Sequence, residues 1–283
     1  MKTQVLQKKL STTIGERDSL WDVVVKWDDI CFKHILPRLN STDVKFLHGV
    51  NKETRKLIKR SSRAGDLKKN FKIEEMSSIS TLEVAWENWE NKSLWPWRRD
   101  ETEFCSRVAR TNKLELLKWA REEKKCKWGG GTINMAARQG NLEMVKYCVA
   151  NQCPINTGAC QWAAGKGNNL ELLKYLHEEC KAPWTSGTAA SAAENGNLHI
   201  LEYLVERKYD KFDDWACRGA AICGQLDCLK YLHETAKAPW NYWAVQDAHT
   251  NNQPECLQYC LDNDCPLPEG WSHEDGTLCT SEE

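Results

Sequence analysis

Fourteen cysteines are present, yet no two form a C-x2-C pair, and the opening MKTQVLQKKLSTTIGERD has no apolar core of the secretory kind. A disulfide-stapled extracellular domain therefore finds no support, because such domains combine a leader with dense, regular cysteine spacing. No run approaches the roughly 20 apolar residues that cross a bilayer, so no membrane association is expected. The expected setting is intracellular: cytoplasmic, nuclear or both. With 41% apolar residues the chain can still bury a core.

Signatures of chemistry are missing too. The glycine run at 129–131 has neither the G-x-x-x-x-G-K-[ST] order nor a preceding strand, and reads as loop slack rather than a phosphate cradle. His177 and Cys180 form H-x2-C, a spacing compatible with metal, but a sister stretch carries His233 with Ala236. CVANQC (148–153), CGQLDC (223–228) and CLQYCLDNDC (256–265) are loosely zinc-like. Sister positions of most of these cysteines hold Leu, Ile or Met, so buried free thiols are the expectation. No Ser-His-Asp or Cys-His set stands apart from the pattern described next. No enzyme, metal or cofactor is expected.

What the chain does have is a split of charge and a repeat. Residues 1–70 hold 16 Lys/Arg against 8 Asp/Glu, while the remainder is net acidic, which points to two modules with different partners. LKYLHEECKAPW (173–184) returns as LKYLHETAKAPW (229–240), 56 residues later. The underlying step is 28: Leu114, Leu142, Leu170, Leu198, Leu226 and Pro254 align. Leu117, Val145, Leu173, Leu201, Leu229 and Leu257 follow, and then the aromatics Trp119, Tyr147, Tyr175, Tyr203, Tyr231 and Tyr259. Two residues before each leading position stand Asn112, Gly140, Asn168, Gly196, Gly224 and Asn252. Gly and Asn most easily accept the positive φ that ends a helix.

Each unit reads as a helical hairpin. In TINMAARQGNLEMVKYCVANQCP (132–154), Ala136 and Ala137 allow a close-packed first helix, and Gly140 ends it. Leu142, Val145, Cys148 and Val149 give the stripe of a second helix. One hairpin cannot bury both faces, so neighbours must stack into a solenoid. Units alternate in their endings: Trp128, Trp184 and Trp240 close every second one.

AARQGNLEMVKYCV, AAENGNLHILEYLV and AAICGQLDCLKYLH resemble the Ala-Ala-x-x-Gly-His-Leu-Glu-x-Val-x-x-Leu-Leu core of the ankyrin repeat. The resemblance covers residues 103–267, about six units. It departs from the family in its shorter step and in lacking the Thr-Pro-Leu-His opening. It implies an all-α fold, an ankyrin-type helical solenoid whose first helices and loops line a face on which a protein target binds. Trp162, Trp215 and Trp243 fall near first helices and are binding candidates. The loop residues Trp128, Trp184 and Trp240 are candidates for the same role, or else pack onto the adjacent unit in place of the missing finger.

The first seventy residues do not repeat. In WDDICFKHILPRLNSTDVKFLHGVNKETRKLIKRSS (27–62) the apolar spacing predicts three short amphipathic helices, with Ser41 or Thr42 capping the second. Ile35, Leu36, Leu39, Asp43, Val44, Leu47, Val50, Asn51 and Lys52 are similar to the F-box pattern, with Asp29 and Ile30 in its opening. Departures fall at Lys26-Trp27 and Thr54. The resemblance implies docking on a Skp-type adaptor of a cullin–RING ubiquitin ligase through Ile30, Ile35, Leu36, Leu39, Val44, Leu47 and Val50; the alternative is a plain helical cap on the array. RKLIKRSSRAGDLKKNFK (55–72) reads as a solvated basic face and linker, a nuclear import signal, or a nucleic-acid contact. The acidic remainder disfavours nucleic acid as the main ligand.

The expected organisation is an extension (1–25), an F-box-like three-helix domain (26–64), a linker with a degenerate capping repeat (65–102), the array (103–267) and a disordered polar tail (268–283). The capping repeat is read from STLEVAWENWENKSLWPW (80–97), which mimics a second helix and its Pro-Trp loop. The expected function is substrate recognition within the ligase, or a binding scaffold with no ubiquitin role.

Overall fold

The computed structural model describes residues 31–50, 52–68, 72–87, 100–274 and 277–280. It divides the chain into two units, Met1–Arg99 and Asp100–Glu283, and the described residues are mostly helical.

In the N-terminal unit a π-helical turn (Cys31–Ile35) runs into a 3-10 turn (Leu36–Arg38), followed by α1 (Ser41–Val50) and α2 (Lys52–Arg60). Over the described residues the first predicted helix is thus two single turns, and Pro37 has no N–H to extend an α ladder. Short 3-10 turns at Ala64–Lys68 and Ile73–Glu75 lead to α3 (Ile79–Glu87). Of the stretch read as a capping repeat (80–97), residues 80–87 lie on α3 within the N-terminal unit, and residues 88–97 lie outside the described residues. Leu36, Val44, Leu57 and Ile58 form this unit's core, with Phe32, Ile35, Leu39, Leu47 and Leu67 packed around it. On α2 the basic side chains Arg55, Lys56, Lys59 and Arg60 are exposed opposite Leu57 and Ile58.

Sequence reasoning misplaced the cap of α1. Asn40 Oδ1 accepts from the Asp43 amide at 2.8 Å. Ser41 and Thr42 lie inside the first turn, and their hydroxyls each donate to Glu75 Oε2 at 2.9 Å, as does the Thr42 amide at 3.1 Å. A carboxylate 34 residues away thus covers the helix's positive end, a contact no local pattern announces. Burial pushes the Glu75 carboxyl up, but these donors and Lys72 outweigh it and hold the group below its ordinary value.

The second unit is a series of hairpins. Its first arms are α4 (Glu101–Arg110), α6 (Gly130–Arg138), α8 (Thr157–Ala164), α10 (Ser186–Glu194), α12 (Asp214–Ile222) and α14 (Tyr242–Thr250). Its second arms are α5 (Leu114–Lys118), α7 (Leu142–Ala150), α9 (Leu170–Lys174), α11 (Leu198–Glu206), α13 (Leu226–Glu234) and α15 (Pro254–Asp262). Successive first arms pack side by side along the unit. Buried alanines permit this, such as Ala136 and Ala137, Ala192 and Ala193, and Ala220 and Ala221. The glycine triplet is part of this packing rather than slack: a Cβ on Gly130 would lie 2.5 Å from Asn156 Nδ2.

Every predicted helix end adopts positive φ: Asn112 59°, Gly140 65°, Asn168 40°, Gly196 72°, Gly224 69° and Asn252 54°. The residue after the turn then reaches back to the preceding hairpin. Asn141 Nδ2 donates to Asn112 Oδ1 at 2.7 Å, Asn169 Nδ2 to Gly140 O at 3.1 Å, and Asn197 Nδ2 to both Ala164 O and Gly165 O at 2.7 Å. The stripe of the second arm differs from the predicted one: Met144, Val145 and Cys148 are buried, while Leu142 and Val149 are half-buried. Sister arms bury Leu116 and Leu117, Leu172 and Leu173, and Ile200 and Leu201 at the same addresses.

A second set of left-handed residues ends the second arms: Lys125, Gln152, Lys181, Lys208, Lys237 and Asp264. The spans Asn112–Lys125, Asn168–Lys181 and Gly224–Lys237 hold one residue more than Gly140–Gln152, Gly196–Lys208 and Asn252–Asp264. The extra residue is absorbed as a π-type turn. Lys124 N donates to Trp119 O (3.3 Å), Cys180 N to Tyr175 O (3.1 Å) and Ala236 N to Tyr231 O (3.0 Å). Long and short arms alternate, and this alternation is the physical content of the 56-residue echo.

The endings of two short arms explain the spacing of Cys148 with Cys153 and of Cys260 with Cys265. Cys153 N donates to Cys148 O at 2.9 Å and Cys265 N to Cys260 O at 3.0 Å. The two side chains so brought together make the apolar contact that accompanies this helix ending. At sister endings Tyr209 N donates to Leu204 O (3.0 Å) and, in a long arm with its extra residue, Ala238 N to Leu232 O (2.9 Å), all four residues being buried. The tail, expected to be disordered, holds a two-stranded antiparallel hairpin, β1 (Ser272–Glu274) with β2 (Thr277–Cys279).

Candidate protein-interaction surfaces

Of the adaptor candidates, Leu36 and Val44 are buried in the N-terminal core, whereas Ile35, Leu39 and Leu47 are half-buried around it. Ile30 and the side chain of Val50 lie outside the described residues. The residues that carry the resemblance therefore act first as a scaffold. Arg63 locks it by donating through Nη1 to Leu36 O (2.7 Å) and Leu39 O (3.0 Å) while Nε binds Asp66. Beside this lock a cavity of about 340 Å3 opens between Phe32, Pro37, Arg60 and Ser62. Pro37 and Arg38 are exposed next to it.

The loop tryptophans spend their faces within the array. Trp128, only 9% exposed, lies under the Arg121 guanidinium (4.6 Å) and edge-on to Tyr147 (6.0 Å). Trp184 stacks on His177 at 3.4 Å and meets Tyr203 and Tyr209 edge-on; Trp240 stacks on His233 at 3.9 Å and meets Tyr259. In each case the tyrosine hydroxyl reaches back to a carboxylate of the preceding hairpin. Tyr147 donates to Glu122, Tyr203 to Glu178 and Tyr259 to Glu234, all at 2.9 Å. Burial, then the Glu178 bond, push the Tyr203 phenol up to about 12. This aromatic clasp ties each of these hairpins to the one before it.

The first-arm tryptophans are placed differently. Arg138 covers Trp162 at 5.0 Å. Arg218 covers both Trp215 (4.8 Å) and Trp243 (4.6 Å), and its Nε pairs with Asp247 at 2.5 Å. Trp215 remains 57% exposed, and beside Trp243 the ring of Tyr242 is 39% exposed. Trp215 and Trp243 hold an address that is Gly187 and Gly131 in other hairpins, with Gly158 one residue out of step. There the backbone comes close to its neighbour: a Cβ on Gly187 would lie 3.3 Å from Gln161. Hairpins stack without any side chain at this address, so stacking does not demand a tryptophan. Trp, Tyr and Arg in one partly exposed cluster have the composition of an interaction hot spot. Sequence reasoning found the tryptophans but missed Arg218, Tyr242 and Asp247. The 28-residue step from Trp215 to Trp243 was the available signal.

Among the described residues Cys105, Cys126, Cys148, Cys153, Cys160, Cys217, Cys228, Cys256, Cys260 and Cys265 are free and buried, and burial raises the Cys228 and Cys256 thiols to about 11. No group of three His, Cys, Asp or Glu side chains is arranged to hold a metal ion, and no helix is long and apolar enough to cross a membrane, among the described residues. No family model matches the sequence, and no curated protein compared with it is similar.

Proposed function

We propose that this chain is a protein-interaction protein, an ankyrin-type solenoid joined to an F-box-like domain. In this reading it is a substrate-recognition subunit of a cullin–RING ubiquitin ligase, acting in the cytoplasm or nucleus. The N-terminal unit docks on a Skp-type adaptor, and the first-arm cluster of Trp215, Arg218, Tyr242 and Trp243 holds the target. The observation that carries the binding role is the exposed tryptophan at an address where sister hairpins have glycine. The ligase role rests on the pattern from Ile35 to Lys52 and on a unit that has its own core.

A scaffold with no ubiquitin role is the second reading. It is favoured by the burial of Leu36 and Val44, which removes two of the seven proposed adaptor contacts from the surface. Binding of the full chain to a Skp-type adaptor separates the two. Leu36→Asp is unsuitable as a control because it would unfold the domain, so exposed Pro37→Asp and Arg38→Glu serve instead. Adaptor binding that these changes weaken supports the ligase subunit; wild-type protein that fails to bind leaves the scaffold.

A further inference from the structure

The three aromatic clasps are internal controls for one another, since they share a scaffold and differ at a few positions. Each has a loop tryptophan, a tyrosine bonded to a glutamate of the preceding hairpin, and a left-handed lysine: Lys125, Lys181 or Lys237. The middle clasp departs from the other two at several addresses on the facing hairpin, among them Tyr209 for Cys153 and Cys265 and Asp210 for Pro154 and Pro266, and two of the changes bring cations into the lining of its cleft. Arg207 stands where they have Asn151 and Asn263, and Lys211 where they have Ile155 and Leu267. The asparagines perform a local task, donating to Tyr147 O (2.9 Å) and Tyr259 O (2.8 Å) at the helix end. Arg207 gives up that task and extends its guanidinium to Glu178 Oε1 at 2.6 Å and over the Tyr203 ring. The fold therefore does not need either cation.

At this clasp a cleft of about 460 Å3 opens, lined by His177, Glu178, Lys181, Trp184, Arg207 and Lys211. Its volume lies in the range of about 300–1,000 Å3 typical of ligand sites. Three cations face one carboxylate, and Glu178 is already engaged by Tyr203 and Arg207. Lys181 Nζ is anchored to Glu178 O at 2.6 Å, which holds its charge at the rim. Half-exposed Trp184, braced flat against His177, supplies an apolar wall beside these charges. A bare anion would fill a small part of such a cleft.

We infer that the cleft between Trp184 and Arg207 docks an acidic segment of a protein partner, one in which Asp or Glu residues flank an apolar side chain. The carboxylates meet Lys181, Arg207 and Lys211, and the apolar group lies against Trp184. This contact is separate from the first-arm cluster and does not depend on the adaptor reading. Opposite charge across such a contact favours encounter and register.

The test uses the full chain and a labelled peptide, Gly-Asp-Glu-Phe-Asp-Glu-Gly, against its neutral twin Gly-Asn-Gln-Phe-Asn-Gln-Gly, read by fluorescence anisotropy. The acidic peptide should bind at least about tenfold more tightly than the neutral one, with affinity falling as salt rises. The double variant Arg207→Asn, Lys211→Gln should lose about tenfold in affinity for it, at an unchanged melting temperature. Its asparagine restores what the sister hairpins already use, so misfolding does not confound the result. Trp215→Ala should leave this binding intact even if it abolishes the proposed target binding. The inference is overturned if the acidic peptide fails to bind, if its neutral twin binds equally, or if the double variant matches wild type. Displacement by inorganic phosphate at the peptide's own concentration also overturns it, since the cleft would then read a bare anion.

Discussion

Replacing Gly196 by valine tests whether left-handed closure of the first arm organises the stack. Gly196 has φ +72°, and the bonds Gly196 N to Ala193 O (3.2 Å) and Asn197 N to Ala192 O (2.9 Å) depend on that angle. An L-residue there costs about 1–2 kcal/mol, and β-branching makes the left-handed region harder still. A Cβ would also come within 2.5 Å of Gln225 Oε1, although that amide is flexible and can move. Loss of glycine's freedom in the unfolded chain returns about 0.4–1 kcal/mol. The net cost of Gly196→Val is about 1.5 kcal/mol, or a melting shift of about 3–6 °C. Gly196→Asn should cost under about 0.5 kcal/mol, because asparagine visits this region routinely, and Asn112, Asn168 and Asn252 do so here. Both variants are compared with wild type by urea unfolding followed through far-ultraviolet circular dichroism. Repeat arrays can unfold in stages, so the earliest transition is the one to compare. Equal behaviour of valine and asparagine would refute the reasoning, because it would remove backbone strain as the cause.

Lys208 carries φ 55° at the end of a second arm, so Lys208→Gly should stabilise the protein by about 0.5 kcal/mol in the same urea experiment. Trp128→Ala should cost about 3 kcal/mol, as truncation of a buried aromatic does, whereas exposed Trp215→Ala should stay within about 0.5 kcal/mol. Similar losses for both would contradict the division between clasp and surface. Because the folded-state pKa of Glu75 lies below its ordinary 4.5, its contribution is present above that pH and disappears as pH falls through the lowered value. Melting temperature should therefore drop below about pH 4.5, and Glu75→Gln should flatten that drop; an identical acid profile would sink the assignment.

The hairpin period and the helix-ending residues were legible because each is a local, repeated demand on the backbone. Gly140 and Asn112 satisfy one steric requirement, and six occurrences make it visible. The second left-handed set was not legible, since Lys125 or Gln152 gives no chemical hint of positive φ and is held there by its backbone bonds. Nor was the π-type turn, which shows only as a one-residue difference between alternate arms. Contacts across long separations escaped as well: Glu75 with Ser41 and Thr42, and Arg218 with Trp243 and Asp247. The cysteines were read as buried thiols because sister positions hold Leu, Ile or Met, but the reason for the spacing of Cys148 with Cys153 and Cys260 with Cys265, the geometry of a helix end, was not legible. Of the candidate surface, regular recurrence already pointed the loop tryptophans toward packing and left the first-arm tryptophans as binding candidates, but the side chains that surround each, such as Tyr209 beside Trp184 and Arg218 over Trp243, came only from packing.

Hydrogen–deuterium exchange on the full chain, with and without a Skp-type adaptor, addresses the ligase role most directly. The account predicts protection within residues 31–68, around Pro37 and Arg38, and unchanged exchange along the hairpins of residues 100–267. Absence of protection in residues 31–68, or protection spread along the hairpins instead, would contradict it.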